Sequence, residues 1–306
     1  MNKSLGISTA MLLLCTIAKA DDVSNKMAEV MLQIRGNEVI NYEYSYFCNA
    51  DNVLSTIVAA GSYYSDSLPD VRRQAYYYAS QAALKCNRDS AKILVVEDLL
   101  RSCGDSSGIV VQNAWQELRN FDKKYFSDKA KFILGQIVDD EIYFAEKFFL
   151  IAGYVGSESM VSVLKDKRVK CNAEQRWYID LALCRLSDET SVQKVLSRLT
   201  KIQPSLDFID LILPDLLYTR QREIYDWIIN QAMTDECKCA SRSPISERQI
   251  PCAYYIMYEI ADYINGFPID RDEDGEKDDD FSKSDIKKMR MWLTDNPNYK
   301  IVDEGY

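Results

Sequence analysis

Apolar residues recur at three- and four-residue intervals along most of the chain, and short polar turns interrupt them, so the pattern predicts consecutive amphipathic helices. Met27, Val30, Met31 and Ile34 form one stripe within a helix predicted over Val23–Tyr46. The alternation of Tyr42 to Phe47 has period two and marks where that helix ends. A second helix is expected over Asp51–Tyr64, and Leu68-Pro69-Asp70 then makes a turn with proline placed to open the next. Val71–Cys86 and Asp89–Ser102 read as a pair, followed after the Gly104–Gly108 connector by helices over Ile109–Phe121 and Ser127–Val138. Another helix starts at Gln203-Pro204-Ser205, Pro214 is expected to kink or end it, and Arg222–Met233 is its partner.

Between Asp140 and Thr200 the pattern repeats itself. Ala152–Leu164 and Leu181–Leu196 each consist of an apolar helix, a short polar turn (Gly156-Ser-Glu or Ser187-Asp-Glu) and a second amphipathic helix. Repeat starts near Val71, Ile109, Glu141, Glu174 and Leu206 give a period in the mid-thirties or slightly less. Such a period signals stacked helical pairs, none of which buries its apolar face alone. The segment Arg176-Trp-Tyr-Ile-Asp-Leu-Ala-Leu-Cys-Arg-Leu-Ser-Asp-Glu-Thr-Ser-Val-Gln-Lys-Val-Leu-Ser-Arg-Leu199 resembles HEAT-like repeats, especially the short form named after phycobilisome lyases. The resemblance covers roughly residues 70 to 235. It implies an all-α fold, an α-solenoid of stacked antiparallel helix pairs with a concave face, and carries no catalytic residues. Residues 21–68 and 237–306 then form atypical N- and C-terminal caps around repeats at 69–236. The C-terminal cap combines a cysteine-pinned loop, a helix over Ala253–Ile264, an acidic run and a last helix near Lys283–Leu293.

The N-terminus reads as a secretory signal. Lys3 is its positive end, Met11–Leu14 with Ile17 its apolar core, and Ala18-Lys19-Ala20 its cleavage pattern. The expected location is therefore periplasmic or secreted, and the apolar run is too short for a membrane span. Cleavage leaves 35 bases against 47 acids, a net charge of −12. That balance argues against nucleic acid or an anionic membrane and favours a basic protein partner. No Asn-x-Ser/Thr site lies beyond the signal, which leans toward a bacterial envelope. Histidine is absent, which removes Ser-His-Asp and Cys-His nucleophiles, His-ligated zinc and imidazole shuttles.

Asp270 to Asp280 holds eight acids and two bases. Its Asp270-x-Asp272-x-Asp274-Gly275 core resembles the calcium loops of EF-hands, dockerins and thrombospondin type 3 repeats. The resemblance makes Asp270, Asp272 and Asp274 direct Ca²⁺ ligands, has Glu276 give its carbonyl, and brings in Asp278 directly or through water. Position twelve is Phe281, so the usual bidentate acid is missing, and position eight is Lys277. The role expected of the cation is structural. A solvated acidic loop is the plain alternative.

Eight cysteines remain after cleavage, an even number in an exported chain, so disulfides are expected. Cys86 with Cys103, and Cys171 with Cys184, lie about 20 Å apart along helices and cannot pair. Cys48 and Cys86 fall at one end of a helical layer and can, and Cys252 is expected to bond Cys237 or Cys239. Tyr76, Tyr77 and Tyr78 are candidates for partner contact, since three consecutive tyrosines on one helix cannot all face the core. The acids Asp139, Asp140, Glu141 and Glu146, like Asp207, Asp210 and Asp215, read as helix-dipole partners on solvated faces. The expected function is a non-catalytic protein-binding module, a scaffold or an inhibitor of an envelope or secreted protein. A carboxylate-dependent enzyme on cell-wall or polysaccharide substrates and a calcium-stabilised structural protein are the alternatives.

Overall fold

In a computed structural model the backbone is described for residues 4–38, 44–140, 142–242, 249–277 and 283–306, and side chains within those ranges from residue 20 onward. The side chains of residues 1–19, and Tyr42, Glu141 and Asp278–Phe281, lie outside the described residues. The fold is all-α apart from one two-stranded ribbon among the described residues. It divides into two compact units, Met1–Val155 with Gly305–Tyr306, and Gly156–Glu304.

The first unit contains α1 (Ser4–Arg35), the single turn α2 (Tyr44–Phe47), α3 (Val53–Gly61), α4 (Pro69–Lys85), α5 (Asp89–Ser102), α6 (Gly108–Leu118), α7 (Asp128–Asp139) and α8 (Ala145–Val155). Helices α4, α6 and α8 pack side by side in one layer, and α3, α5 and α7 in a second. Sequence neighbours such as α4 and α5, or α7 and α8, pack across the layers, which is solenoid-like stacking. The core between them is filled by Met27, Phe47, Tyr78, Leu99, Leu118, Phe121, Phe148 and Phe149.

The second unit contains α9 (Glu158–Lys170), α10 (Ala173–Arg185), α11 (Glu189–Leu199), α12 (Leu213–Tyr218), α13 (Arg222–Ala232), the ribbon β1 (Lys238–Ala240) and β2 (Gln249–Pro251), α14 (Cys252–Ile260) and α15 (Lys283–Asp295). Here α10, α12 and α14 share a layer, α11 packs on α13, and α9 packs on α10. Phe208, Leu213, Leu216, Ile224, Tyr225, Ile228 and Ile256 fill the core.

Local chemistry explains the boundaries. Asn172 and Gln175 form a reciprocal capping box at the start of α10. At its end Ser187 adopts φ +61°, its N–H donates to Cys184 O, and the Asp188 N–H donates to Leu183 O. Those two bonds are a Schellman motif. The Asp188 carboxylate also accepts the Ser191 N–H, so one residue closes α10 and caps α11. The turn fits three residues, Leu186 to Asp188, between two helices.

Three expectations change. The repeat expected over Ala152–Leu164 is split between the two units, because α8, ending at Val155, packs on α7 and α6 while α9, starting at Glu158, packs on α10. The predicted helix to Tyr46 stops at Arg35, where Asn37 takes φ +57°, and α2 is a separate turn. Pro214 does not end its helix. The preceding turn, Phe208–Ile212, widens to π geometry, Leu213 donates to Phe208 O, and the proline, which has no N–H to satisfy, falls in the first turn of α12.

Candidate functional site

Among the described residues an open groove of about 720 Å³ lies in the second unit, lined by Arg168 of α9 and by Glu189, Thr190, Gln193, Lys194, Ser197 and Arg198 of α11. The α11 residues stand at helical spacings of three and four, so one continuous polar face lines the groove. The opposite face of α11, with Val192, Val195 and Leu199, is buried. From Glu189 to Arg198 that polar face runs about 14 Å at the α-helical rise.

Asp180 organises one end. It sits on α10 with its side chain 1% exposed, and Arg168 approaches it bidentately through Nε at 2.7 Å and Nη2 at 3.0 Å. Arg198 Nη2 lies 4.0 Å away, and its guanidinium covers the Trp177 ring at 5.4 Å. Trp177 is held in turn by its Nε1 donating to Asp215. A buried carboxylate needs cationic partners, and a planar guanidinium supplies two parallel bonds. The Arg168 guanidinium is held above its ordinary range by its bonds to Asp180. At the other end of the groove, Lys165 pairs with Asp188 at 2.5 Å, tying α9 to the cap of α11. Burial opposes ionisation of Asp188, but Lys165 and Ser191 hold its carboxyl below the usual range. Among the described residues Lys194 has no carboxylate partner.

The groove lies in a basic stretch of an acidic chain. Lys165 to Lys201 carries nine bases and five acids, a net +4 where the whole chain is −10. The sequence held a signal for it: Asp180 is a charged residue inside the apolar run Ile179–Leu183, between base-rich helices on either side.

The residues singled out from sequence lie elsewhere. Tyr76 and Tyr78 are buried and only Tyr77 reaches the surface, because α4 is covered by α1, α2, α3, α5 and α6. Tyr76 stacks on Tyr64 at 4.0 Å, and burial pushes its hydroxyl up to about 12. Cys239 bonds Cys252, whereas Cys48, Cys86 and Cys237 are not disulfide-bonded. Cys48 and Cys86 are free thiols here, and the Tyr44 hydroxyl donates to Cys48 Sγ. Cys239 wins over Cys237 although the Cys252 N–H donates to Cys237 O. Cys239 is the buried member of the Cys-x-Cys, and α14 begins directly at Cys252 beside it.

The acidic loop is a tight turn closed by protein groups. Asp272 Oδ1 accepts the N–H of Asp274 and of Glu276, Gly275 takes φ +85°, and Arg271 pairs with Lys277 across the turn. Asp262 holds both of those bases, at 2.6 Å each, and Asp270 lies 3.5 Å from Lys288. No group of three or more His, Cys, Asp or Glu residues that could hold a metal ion occurs among the described residues. The three carboxyls that burial pushes upward, Asp98, Glu117 and Glu259, lie on three separate helices.

No family model, curated protein or solved structure matches this chain. No helix among the described residues is long and apolar enough to cross a membrane.

Proposed function

We propose that the chain is an exported protein-binding module, built on stacked helix pairs, that recognises another protein of the envelope or exterior through the α9/α11 groove. The observation that carries this reading is the groove itself: an open recess whose lining offers seven polar or charged side chains, with two arginines oriented by one buried acid. Pre-oriented polar groups on rigid helices suit recognition, because little side-chain freedom remains to be lost when a partner docks. Stacked helical arrays act chiefly through such extended surfaces. The signal-like N-terminus and the Cys239–Cys252 disulfide both support an oxidising compartment. A structural Ca²⁺ in the acidic loop belongs to the same reading as an accessory to the C-terminal cap.

The test is recovery of the full-length gene product from envelope and secreted fractions of its own cell, under oxidising conditions, once with Ca²⁺ and once with chelator. The expected result is an intact mass beginning at Asp21 and one protein co-purifying at fixed stoichiometry. Recovery alone in both conditions, or with residues 1–20 still attached, would sink the reading.

A further inference from the structure

We infer that the α9/α11 groove takes an acidic peptide segment, its carboxylates held by Arg168, Lys194 and Arg198; this rests on the proposed protein-binding function and names the partner's docking chemistry.

The charge of the groove differs from that of the chain. Against a whole-chain balance that favours a basic partner, the lining presents three cations and one acid, Glu189. Asp180, buried beneath the lining, offsets one of these charges and fixes the direction of Arg168, so with Glu189 and Asp180 both counted the groove still keeps a net positive charge. Arg168 uses Nε and Nη2 on Asp180, which leaves the Nη1 edge of its fork for another acceptor. Lys194 and Arg198 are one helical turn apart on α11, and Gln193 and Ser197 repeat the same spacing beside them. Ammonium and guanidinium groups spaced by one turn match side-chain carboxylates, and the intervening amide and hydroxyl groups can bond peptide backbone.

Two features favour a peptide over a sulfated glycan or a nucleic acid. The lining holds no aromatic ring, so it lacks the stacking platform on which bases are held. Glu189 stands at the N-terminal end of the α11 face, where it repels a ligand of dense, uninterrupted negative charge but leaves space for spaced carboxylates. Asp180 is a positioning residue, acting on the ligand only through the arginines.

The experiment is a titration of the full chain with hexaglutamate, hexalysine and a heparin hexasaccharide at low and physiological salt. It is read by the fluorescence of Trp177, which lies directly beneath Arg198. Hexaglutamate is expected to bind saturably, to weaken with salt, and to lose about tenfold or more affinity in K194A/R198A. The R198K variant should retain most of the binding, and W177F should remove the signal without removing binding measured calorimetrically. K194A/R198A changes one half-buried and one exposed side chain, and its thermal transition establishes that it is folded. Preferential binding of hexalysine or the heparin fragment, or equal hexaglutamate affinity in K194A/R198A, overturns the inference. The same variant separates this inference from the reading beneath it. A cellular partner that co-purifies equally with wild type and K194A/R198A leaves the binding-module reading standing and refutes the acidic docking segment. Hexaglutamate binding with no co-purifying protein refutes the module reading alone.

Discussion

Two seams between neighbouring helices, α5/α7 in the first unit and α9/α11 in the second, are each organised by one acid, yet one is closed and the other is a groove. In the closed seam the acid stands on one of the two helices. Glu97 of α5 accepts the Ser127 hydroxyl at 2.8 Å and pairs with Lys129 at 2.7 Å, both at the start of α7. The contact draws the N-terminus of α7 onto α5. In the open seam the acid comes from below, on α10. Arg168 and Arg198 turn down toward Asp180 instead of across to each other's helix, and Lys165 and Asp188 span the gap directly. The two seams thus differ in where the organising carboxylate stands, on a flanking helix in one and on the floor in the other. A third acid shows what happens without cations: Glu117 of α6 receives Ser80 at 2.6 Å and Gln81 at 2.8 Å, both neutral, and burial raises its carboxyl.

The largest effect is expected where the floor acid is removed. D180A leaves Arg168 and Arg198 without their counter-charge and should cost about 3 kcal/mol in urea unfolding, since truncating one partner of a buried pair strands the other. Hydrogen exchange should rise first in α9, which packs on α10. Loss confined to ligand binding, with unchanged stability, would show that Asp180 does not hold the groove.

E97Q comes next, at about 2 kcal/mol, the value of charge-assisted bonds to a mostly buried acid. The bond to Lys129 holds the Glu97 carboxyl below its ordinary range, with burial opposing. A lowered carboxyl contributes stability that is present above its unfolded pKa and lost as pH falls through the folded value. Wild type should therefore lose stability below about pH 4.5 by more than E97Q does.

Glu117 has the opposite sign. Its raised carboxyl is most favourable below the unfolded pKa, and that contribution is lost as pH rises through the folded value. E117Q should raise the melting temperature at pH 8 and leave it nearly unchanged at pH 4; a lower melting temperature at pH 8 would contradict neutral burial. The smallest effect is expected at the acidic loop, which Arg271, Lys277 and Asp262 already close. Exchanging Ca²⁺ for chelator should move the melting temperature by less than about 2 °C, roughly 1 kcal/mol in a chain of this size. A larger fall would assign the cation a main part in holding the C-terminal cap.

Most helices were legible because their signals are local. The period of apolar positions, the proline opening α4, the acid capping α11 and the polar turn at Ser187–Asp188 all act within a few residues. The tyrosines were only half legible. Spacing required one of Tyr76 to Tyr78 to reach the surface, but which one depends on how many neighbours surround α4. The groove was not legible, although its marker, Asp180 in an apolar run, stands in the sequence. A lone acid on a helix is usually a solvated one.

The sequence by itself determined the fold class and the order of helices, because backbone periodicity and capping depend on neighbours a few positions away. Tertiary structure alone decided that the chain divides after Val155, that Cys239 and not Cys237 holds Cys252, and that Arg168, Asp180 and Arg198 meet. Each of those depends on which surfaces come together in space, and a pairing energy exists only once the partners are within a few ångströms.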